Sequence, residues 1–144
     1  MNLRIRKMNA TDVPQVHDLG SNVEEFRTVS ESTNCFWPRE TLEKIAEKEI
    51  AYVAEDHSQI IGFLIATYQE STRKLTWENM YVKPGYRGRG IAHQCWNLAE
   101  QEARARGTTY LCSMIEENND FSFKMLHREG FTKGKTYVWM EKSL

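Results

Sequence analysis

Apolar and charged positions alternate at the start of the chain. Leu3 and Ile5 stand between Arg4 and Arg6, the period-two signature of a strand with one wet face. The period then lengthens. Thr11-Asp12-Val13-Pro14 reads as a helix start, with Thr11 or Asp12 able to cap and Pro14 in the first turn, and Val16 and Leu19 follow at helical spacing. Gly20 to Trp37 carries no period. Pro38 opens a second helix whose apolar stripe is Leu42, Ile45 and Ala46. Three strand-like runs follow, Ile50 to Ala54, Ile60 to Tyr68 and Lys74 to Val82, with turns at Asp56 to Gln59 and Glu70 to Arg73. The middle run is apolar throughout, as in a strand buried on both faces, and the last two should pair as a hairpin.

Beyond a glycine-rich loop, Ile91, Cys95, Leu98 and Ala99 share one helical face, and Gly107 just past Arg104 and Arg106 is a helix stop. Thr109 to Met114 is a further strand. Asn119 to Glu129 is a helix with Phe121, Phe123 and Leu126 inward, ended by Gly130. Phe131-Thr132 and Thr136 to Met140 read as a final strand pair turning at Lys133-Gly134-Lys135. The predicted order is β-α-α-β-β-β-α-β-α-β-β. It implies an α/β (α+β) fold, a mixed, mostly antiparallel sheet flanked by helices, with residues 1–144 forming one domain.

Composition narrows the function classes. The chain is 40% hydrophobic and 27% charged, which suits a folded core, and its net charge of −1 gives no global attraction to nucleic acid or to an anionic membrane. Any anion site must be local. Cys35, Cys95 and Cys112 lack metal-ligand spacing and read as buried or reduced thiols, and His17, His57, His93 and His127 are scattered, so no metal site is expected. The charged alternation of Met1 to Lys7 is not a signal peptide, and no apolar run approaches the ~20 residues of a membrane span. A cytoplasmic protein is expected.

The loop Gly85-Tyr86-Arg87-Gly88-Arg89-Gly90 leaves a strand and enters a helix. The helix's first N–H groups have no intrahelical acceptor, and the macrodipole favours negative charge there. Gly88 and Gly90 permit positive φ and close approach to the backbone, and Arg87 and Arg89 can bond phosphate oxygens. The loop is neither G-x-G-x-x-G nor Walker A, so ordinary dinucleotide and nucleoside triphosphate readings fall away. A glycine-rich turn with solvated arginines stays open on local grounds alone.

Arg87, Gly90 and Ala92 resemble the R/Q-x-x-G-x-G/A loop of the GNAT superfamily of N-acetyltransferases. Glu78 to Pro84 looks like that family's fourth strand, and Asn119 followed by Gly130-Phe131 is similar to its N-x-x-A…G-F segment. The resemblance implies acetyl-CoA as donor and CoA as product, with the pyrophosphate on the backbone of Arg87, Gly88, Arg89, Gly90, Ile91 and Ala92. It also implies that the pantetheine arm pairs along Met80, Tyr81 and Val82, using the backbone of Met80 and Val82, with Asn119 bonding the arm. A bulge in that strand would splay it from Thr109 to Met114, and an N–H near Met80 would stabilise the developing oxyanion.

Amine acetylation needs a base, because an alkyl ammonium with a pKa of roughly 10 arrives protonated. Glu78 is the candidate. Strand alternation puts it on one face with Thr76, Met80 and Val82, and small-molecule branches of the family carry a Glu at the matching position. The alternative is a structural strand carboxylate. Many members have a Tyr four residues before the G-F glycine, where this chain has Leu126. Water, Tyr81 or Tyr137 would then protonate the sulfur, or CoA would leave as thiolate. An acetyl-cysteine route through Cys95 or Cys112 lacks a partnering His, and both read as packing.

In the family the acceptor site is built from the first two helices, their connection and the last strand pair. Here Glu24, Glu25, Phe26, Glu31, Phe36 and Trp37 mix carboxylates with rings, which suits a cationic amine. Glu24, Glu25, Phe26 and Trp37 are the candidate acceptor contacts. A self-packed acidic loop is the alternative. A small amine is the leading acceptor. A protein N-terminus or lysine, a non-catalytic acyl-CoA-binding module and a simple phosphate binder are the competing readings. Exposed sheet edges and Trp139 make a homodimer plausible; neither nucleic acid nor membrane is expected as a partner.

Overall fold

Two layers of helix cover the two faces of one twisted sheet. The computed structural model describes residues 1–27, 36–142 and 144, so Glu31 and Cys35 lie outside the described residues. The elements are β1 (Leu3–Lys7), α1 (Val13–Ser21), α2 (Arg39–Lys48), β2 (Ile50–Asp56), β3 (Gln59–Gln69), β4 (Lys74–Val82), α3 (Ile91–Ala105), β5 (Tyr110–Ser113) and α4 (Asp120–Arg128). The sheet order is β1-β2-β3-β4-β5, antiparallel except for the parallel β4–β5 pair.

The apolar run of β3 is buried on both faces, as its composition predicts. Leu64 and Ala66 join Ile91, Cys95, Trp96 and Ala99 of α3, together with Leu126 of α4. Phe63 and Ile65 join Val13 and Val16 of α1 and Leu42 and Ile45 of α2 on the opposite face. The β2–β3 turn is made by His57 and Ser58, both at positive φ (47° and 68°), the conformation of a tight hairpin turn.

The helix start before α1 differs from expectation. Asn9, not Thr11 or Asp12, supplies the side-chain cap: it accepts from the Thr11 N–H at 2.9 Å and opens a short 3-10 turn, Ala10–Asp12. Asp12 closes the capping box from the other side, accepting from the Asn9 N–H at 2.9 Å, and also holds a charged partner. Its two carboxylate oxygens take the Arg6 guanidinium at 2.7 and 2.8 Å, and Arg6 also bonds Glu55 at 2.7 Å. Asp12 is 4% exposed, and its bond followed by that of Glu55 holds Arg6 above the ordinary arginine value.

A second carboxylate seats α3. Lys7, the Tyr52 hydroxyl and Arg106 all donate to Glu102. Burial pushes the Glu102 carboxyl up, but these three donors outweigh it and hold the group below its usual range.

The final strand pair expected at Phe131-Thr132 and Thr136 to Met140 is absent: residues 131–142 hold no strand. Phe131 packs against Trp77 and Trp96 and Lys133 stands over the Phe123 ring at 5.6 Å, while Tyr137 and Met140 are more than four-fifths exposed (83% and 84%). Alternation records a preference for extended backbone, whereas a strand exists only where an edge accepts its ladder. A hairpin this short is marginal by itself. Phe121, expected inward, is 71% exposed, and the buried contact of α4 is Leu126.

Asp12→Ala should lower the unfolding free energy by about 3 kcal/mol, because it strips a buried partner from Arg6. The urea midpoint measures this; a shift within error of zero would show that Glu55 and water compensate.

Candidate active site

The site is built by one extra residue in β4. Asn79 pairs with Ile65 and Trp77 with the next residue, Ala66, so Glu78 is left over as a β-bulge. The bulge resets the facing of the strand. Leu75 and Trp77 before it, and Met80 and Val82 after it, all belong to the α3 side. Glu78 and Asn79 are turned to the α1/α2 side: the Thr67 hydroxyl donates to Glu78 Oε1 at 2.6 Å, and the Trp37 indole donates to Asn79 Oδ1 at 2.7 Å. The expectation that Glu78 shares a face with Met80 and Val82 is therefore corrected, because unbroken alternation fails across a bulge.

The bulge also ends the pairing with β5. The last partners in that ladder are Trp77 and Ser113, and Ser113 Oγ donates to the Trp77 carbonyl at 2.9 Å. From Glu78 onward β4 has, among the described residues, a strand neighbour on one side only. Lys83 N–H points to β3, bonding the Ile61 carbonyl at 2.8 Å, so alternation turns Met80 and Val82 to the open side. The Val82 carbonyl confirms this orientation by accepting from Arg87 Nε at 2.8 Å. Met80 thus offers a backbone N–H and C=O to the cleft.

Downstream, Gly88 and Gly90 sit in the left-handed region at φ 76° and 74°. A Cβ would meet nothing within 4 Å at Gly88 and only the end of Gln94 at Gly90, so the loop is open above its backbone. Gly90 is the N-cap of α3 and no side chain caps it; the first helical bond is Gln94 N–H to the Gly90 carbonyl. The N–H groups of Ile91, Ala92 and His93 are free to serve an anion.

The loop is held from the other side by Tyr86. Its hydroxyl donates to Asp56 at 2.9 Å, which raises the tyrosine pKa, while the Asn2 N–H and then Tyr86 lower that of Asp56. Arg87 stands over the Tyr81 ring at 5.9 Å and Arg89 over Tyr86 at 5.8 Å.

Glu78 and the backbone of Met80 to Val82 lie where β4 leaves β5, and the loop of Arg87 to Ala92 follows at the start of α3. Trp37 reaches β4 through Asn79. Phe26 is spent on packing, with its ring 5.7 Å from Phe36 and 6.2 Å from Phe63. Glu24 and Glu25 are exposed, and Glu24 pairs with Arg27 at 3.4 Å. Asn119 caps α4, its side-chain oxygen accepting from Ser122 N–H at 3.1 Å. Leu126 is buried among apolar residues and Tyr137 is exposed far along the C-terminal segment, so neither presents a proton donor here.

Sequence reasoning missed Thr67 and Asn79. A signal existed: Asn is depleted in strand interiors, and its presence in β4 marks an irregularity.

A β4 strand parted from β5 at a bulge, running into a left-handed glycine loop at a helix N-terminus, defines an acyltransferase-type cleft. A family profile described as "Acetyltransferase (GNAT) family" matches residues 17–131, and the chain belongs to that family. Streptothricin acetyltransferase of Streptomyces lavendulae is 32% identical over 72 residues, half of this chain, and the match covers 38% of that protein's length. Two solved structures share the fold. One is AAC(6')-Iy in complex with the bisubstrate analog CoA-S-monomethyl-acetylneamine (TM-score 0.79, 19% identity, 100% of both chains). The other is a ribosomal-protein-alanine N-acetyltransferase of Brucella melitensis (TM-score 0.73, 16% identity, 99% of this chain and 100% of that one).

Cys95 is fully buried, and burial pushes its thiol up to about 12, whereas Cys112 is half-buried. Because the thiolate is the reactive form, iodoacetamide at about pH 8 should modify Cys112 and spare Cys95 in the folded protein. Peptide mass mapping checks it; alkylated Cys95 under native conditions would contradict the burial.

Proposed function

We propose that the protein is an acetyl-CoA-dependent N-acetyltransferase acting on a small cationic amine by direct attack in a ternary complex. The observation that carries the reading is the parting of β4 from β5 at Glu78, beside an uncapped helix N-terminus. Acetyl-CoA would supply a thioester as the acyl donor. The glycine loop and the first N–H groups of α3 suit its pyrophosphate, and the open edge at Met80 and Val82 suits its amide-bearing arm. Arg87 already engages the Val82 carbonyl, so the arm's pairing there requires that guanidinium to yield.

Glu78 takes the amine proton, directly or through water, which frees the nitrogen lone pair for attack. Met80 N–H points to the side where the carbonyl oxygen gains charge, a fixed donor of the oxyanion-hole kind. No side chain of α4 returns a proton to sulfur. That is tolerable chemistry, since a thiol pKa of roughly 8.5 makes the thiolate an adequate leaving group near neutrality.

The acceptor class rests on rings and carboxylates at the α1/α2 side, with Trp37 hydrogen-bonded to the residue after Glu78. The streptothricin enzyme acts on a small amine-bearing molecule by its name, and the ribosomal enzyme on a protein alanine. Thiol release from acetyl-CoA across polyamines, aminoglycosides, streptothricin and N-terminal peptides tests the choice. Turnover confined to peptides would overturn the small-amine reading, and CoA binding without turnover on any amine would favour a binding module.

Glu78→Gln should cut kcat about a hundredfold or more while acetyl-CoA affinity stays within about twofold. Wild-type turnover in that variant would remove Glu78 as the base. Gly90→Val places a β-branched residue at positive φ in the loop, and should weaken CoA binding at least about tenfold by calorimetry, equivalent to about 1.4 kcal/mol. An unchanged Kd with intact circular dichroism would remove the loop assignment.

A further inference from the structure

Glu78 occupies the bulge, the one place in β4 where a residue has no opposite partner in β3. Its side chain is long and rotamer-rich, so the backbone by itself does not decide where its carboxylate points. A base needs that direction decided before substrate arrives. Among the described residues one side chain anchors the carboxylate. Thr67 of β3 donates its hydroxyl to Glu78 Oε1 at 2.6 Å, the length of a charge-assisted O–H···O⁻ bond.

The anchor is itself rigid. Thr67 is β-branched, with restricted χ1, and its backbone is locked in the ladder opposite Thr76. Thr76 Oγ1 lies 3.5 Å from Cys112 Sγ, so a row of short polar side chains crosses β3, β4 and β5 where the strands part. A hydroxyl has one proton to give and can hold only one carboxylate oxygen. A lysine or arginine in its place would also fix the carboxylate, but would neutralise it.

We propose that Thr67 is a positioning residue for this site: its hydroxyl holds one oxygen of Glu78, leaving the other directed to the cleft as proton acceptor. The proposal rests on the reading of Glu78 as base, and it extends the site to a strand that touches neither cofactor arm nor loop.

Two variants test it. Thr67→Val keeps the shape and branching and removes the donor; Thr67→Ser keeps the donor. In protein labelled with 13C at Glu carboxyls, the Glu78 resonance, assigned by its loss in Glu78→Gln, should move in Thr67→Val and return in Thr67→Ser. A resonance unmoved in Thr67→Val overturns the proposal. In thiol-release assays with streptothricin and spermidine as probes, Thr67→Val should lose about tenfold or more in kcat. Its acetyl-CoA KM should hold within about twofold, and Thr67→Ser should recover most of the rate. Equal impairment of the two variants overturns the proposal by showing a packing effect. The double variant Thr67→Val, Glu78→Gln should be no slower than Glu78→Gln alone. Multiplicative losses would overturn the coupling while leaving Glu78 as base intact; wild-type turnover in Glu78→Gln would instead overturn the base and the proposal together.

Discussion

One surplus residue in β4 governs the functional geometry. A regular ladder would have carried β4 and β5 side by side to their ends and left no backbone unpaired between them. The bulge at Glu78 adds local twist, the pairing stops at Trp77 and Ser113, and the next residues face an open cleft. The same insertion reverses the facing of the strand, so Glu78 and Asn79 both turn to the α1/α2 side while Met80 returns to the α3 side. The carboxylate and the backbone donor thus come from residues two apart, yet they approach the cleft from different sides.

The bulge can persist because its neighbours are over-determined. β3 is buried on both faces, and the stacked rings of Trp77 and Trp96, 4.2 Å apart, bind β4 to α3 just before the irregularity. Glu102 gathers Lys7, Tyr52 and Arg106, which fixes α3 against β1 and β2 and hence the position of its N-terminus. Tyr86 ties the loop to Asp56 at the β2–β3 turn. The glycine loop and the helix it enters are therefore braced from both ends.

Periodicity made most of the architecture legible. The stripe of Leu42 and Ile45, the doubly apolar β3 and the glycine loop between a strand and a helix each follow from local chemistry, and the structure has all of them. What failed was non-local. The alternation of Tyr137 to Met140 cannot reveal whether an edge stands ready to receive it, and the second duty of Asp12, which shares a capping box with Asn9 and also pairs with Arg6, comes from another element. The facing of β4 is the deepest case: the resemblance implied a bulge in this strand, but not the residue that makes it. Counting by twos from Trp77 gives the wrong face for Met80, and only the register against β3 corrects it. Glu78 itself was readable as a candidate base; Thr67, its partner, was not, because nothing in a nine-residue apolar run marks one threonine as a hydrogen-bond donor to a carboxylate eleven positions on.

The loop arginines suggest charge as the source of anion binding, but the structure assigns them other duties. Arg87 spends its Nε on the Val82 carbonyl and lies over Tyr81, and Arg89 lies over Tyr86 and reaches the Gly85 carbonyl at 3.4 Å. Both are exposed, where a single charge contact is screened by water and salt and is worth about 1 kcal/mol or less. The N–H groups at the start of α3 differ on both counts. They are fixed by fifteen residues of helix, converge without side-chain entropy to lose, and carry the positive end of the macrodipole. The direction of this backbone is set by two glycines in the left-handed region, and the arginines brace the loop in that shape.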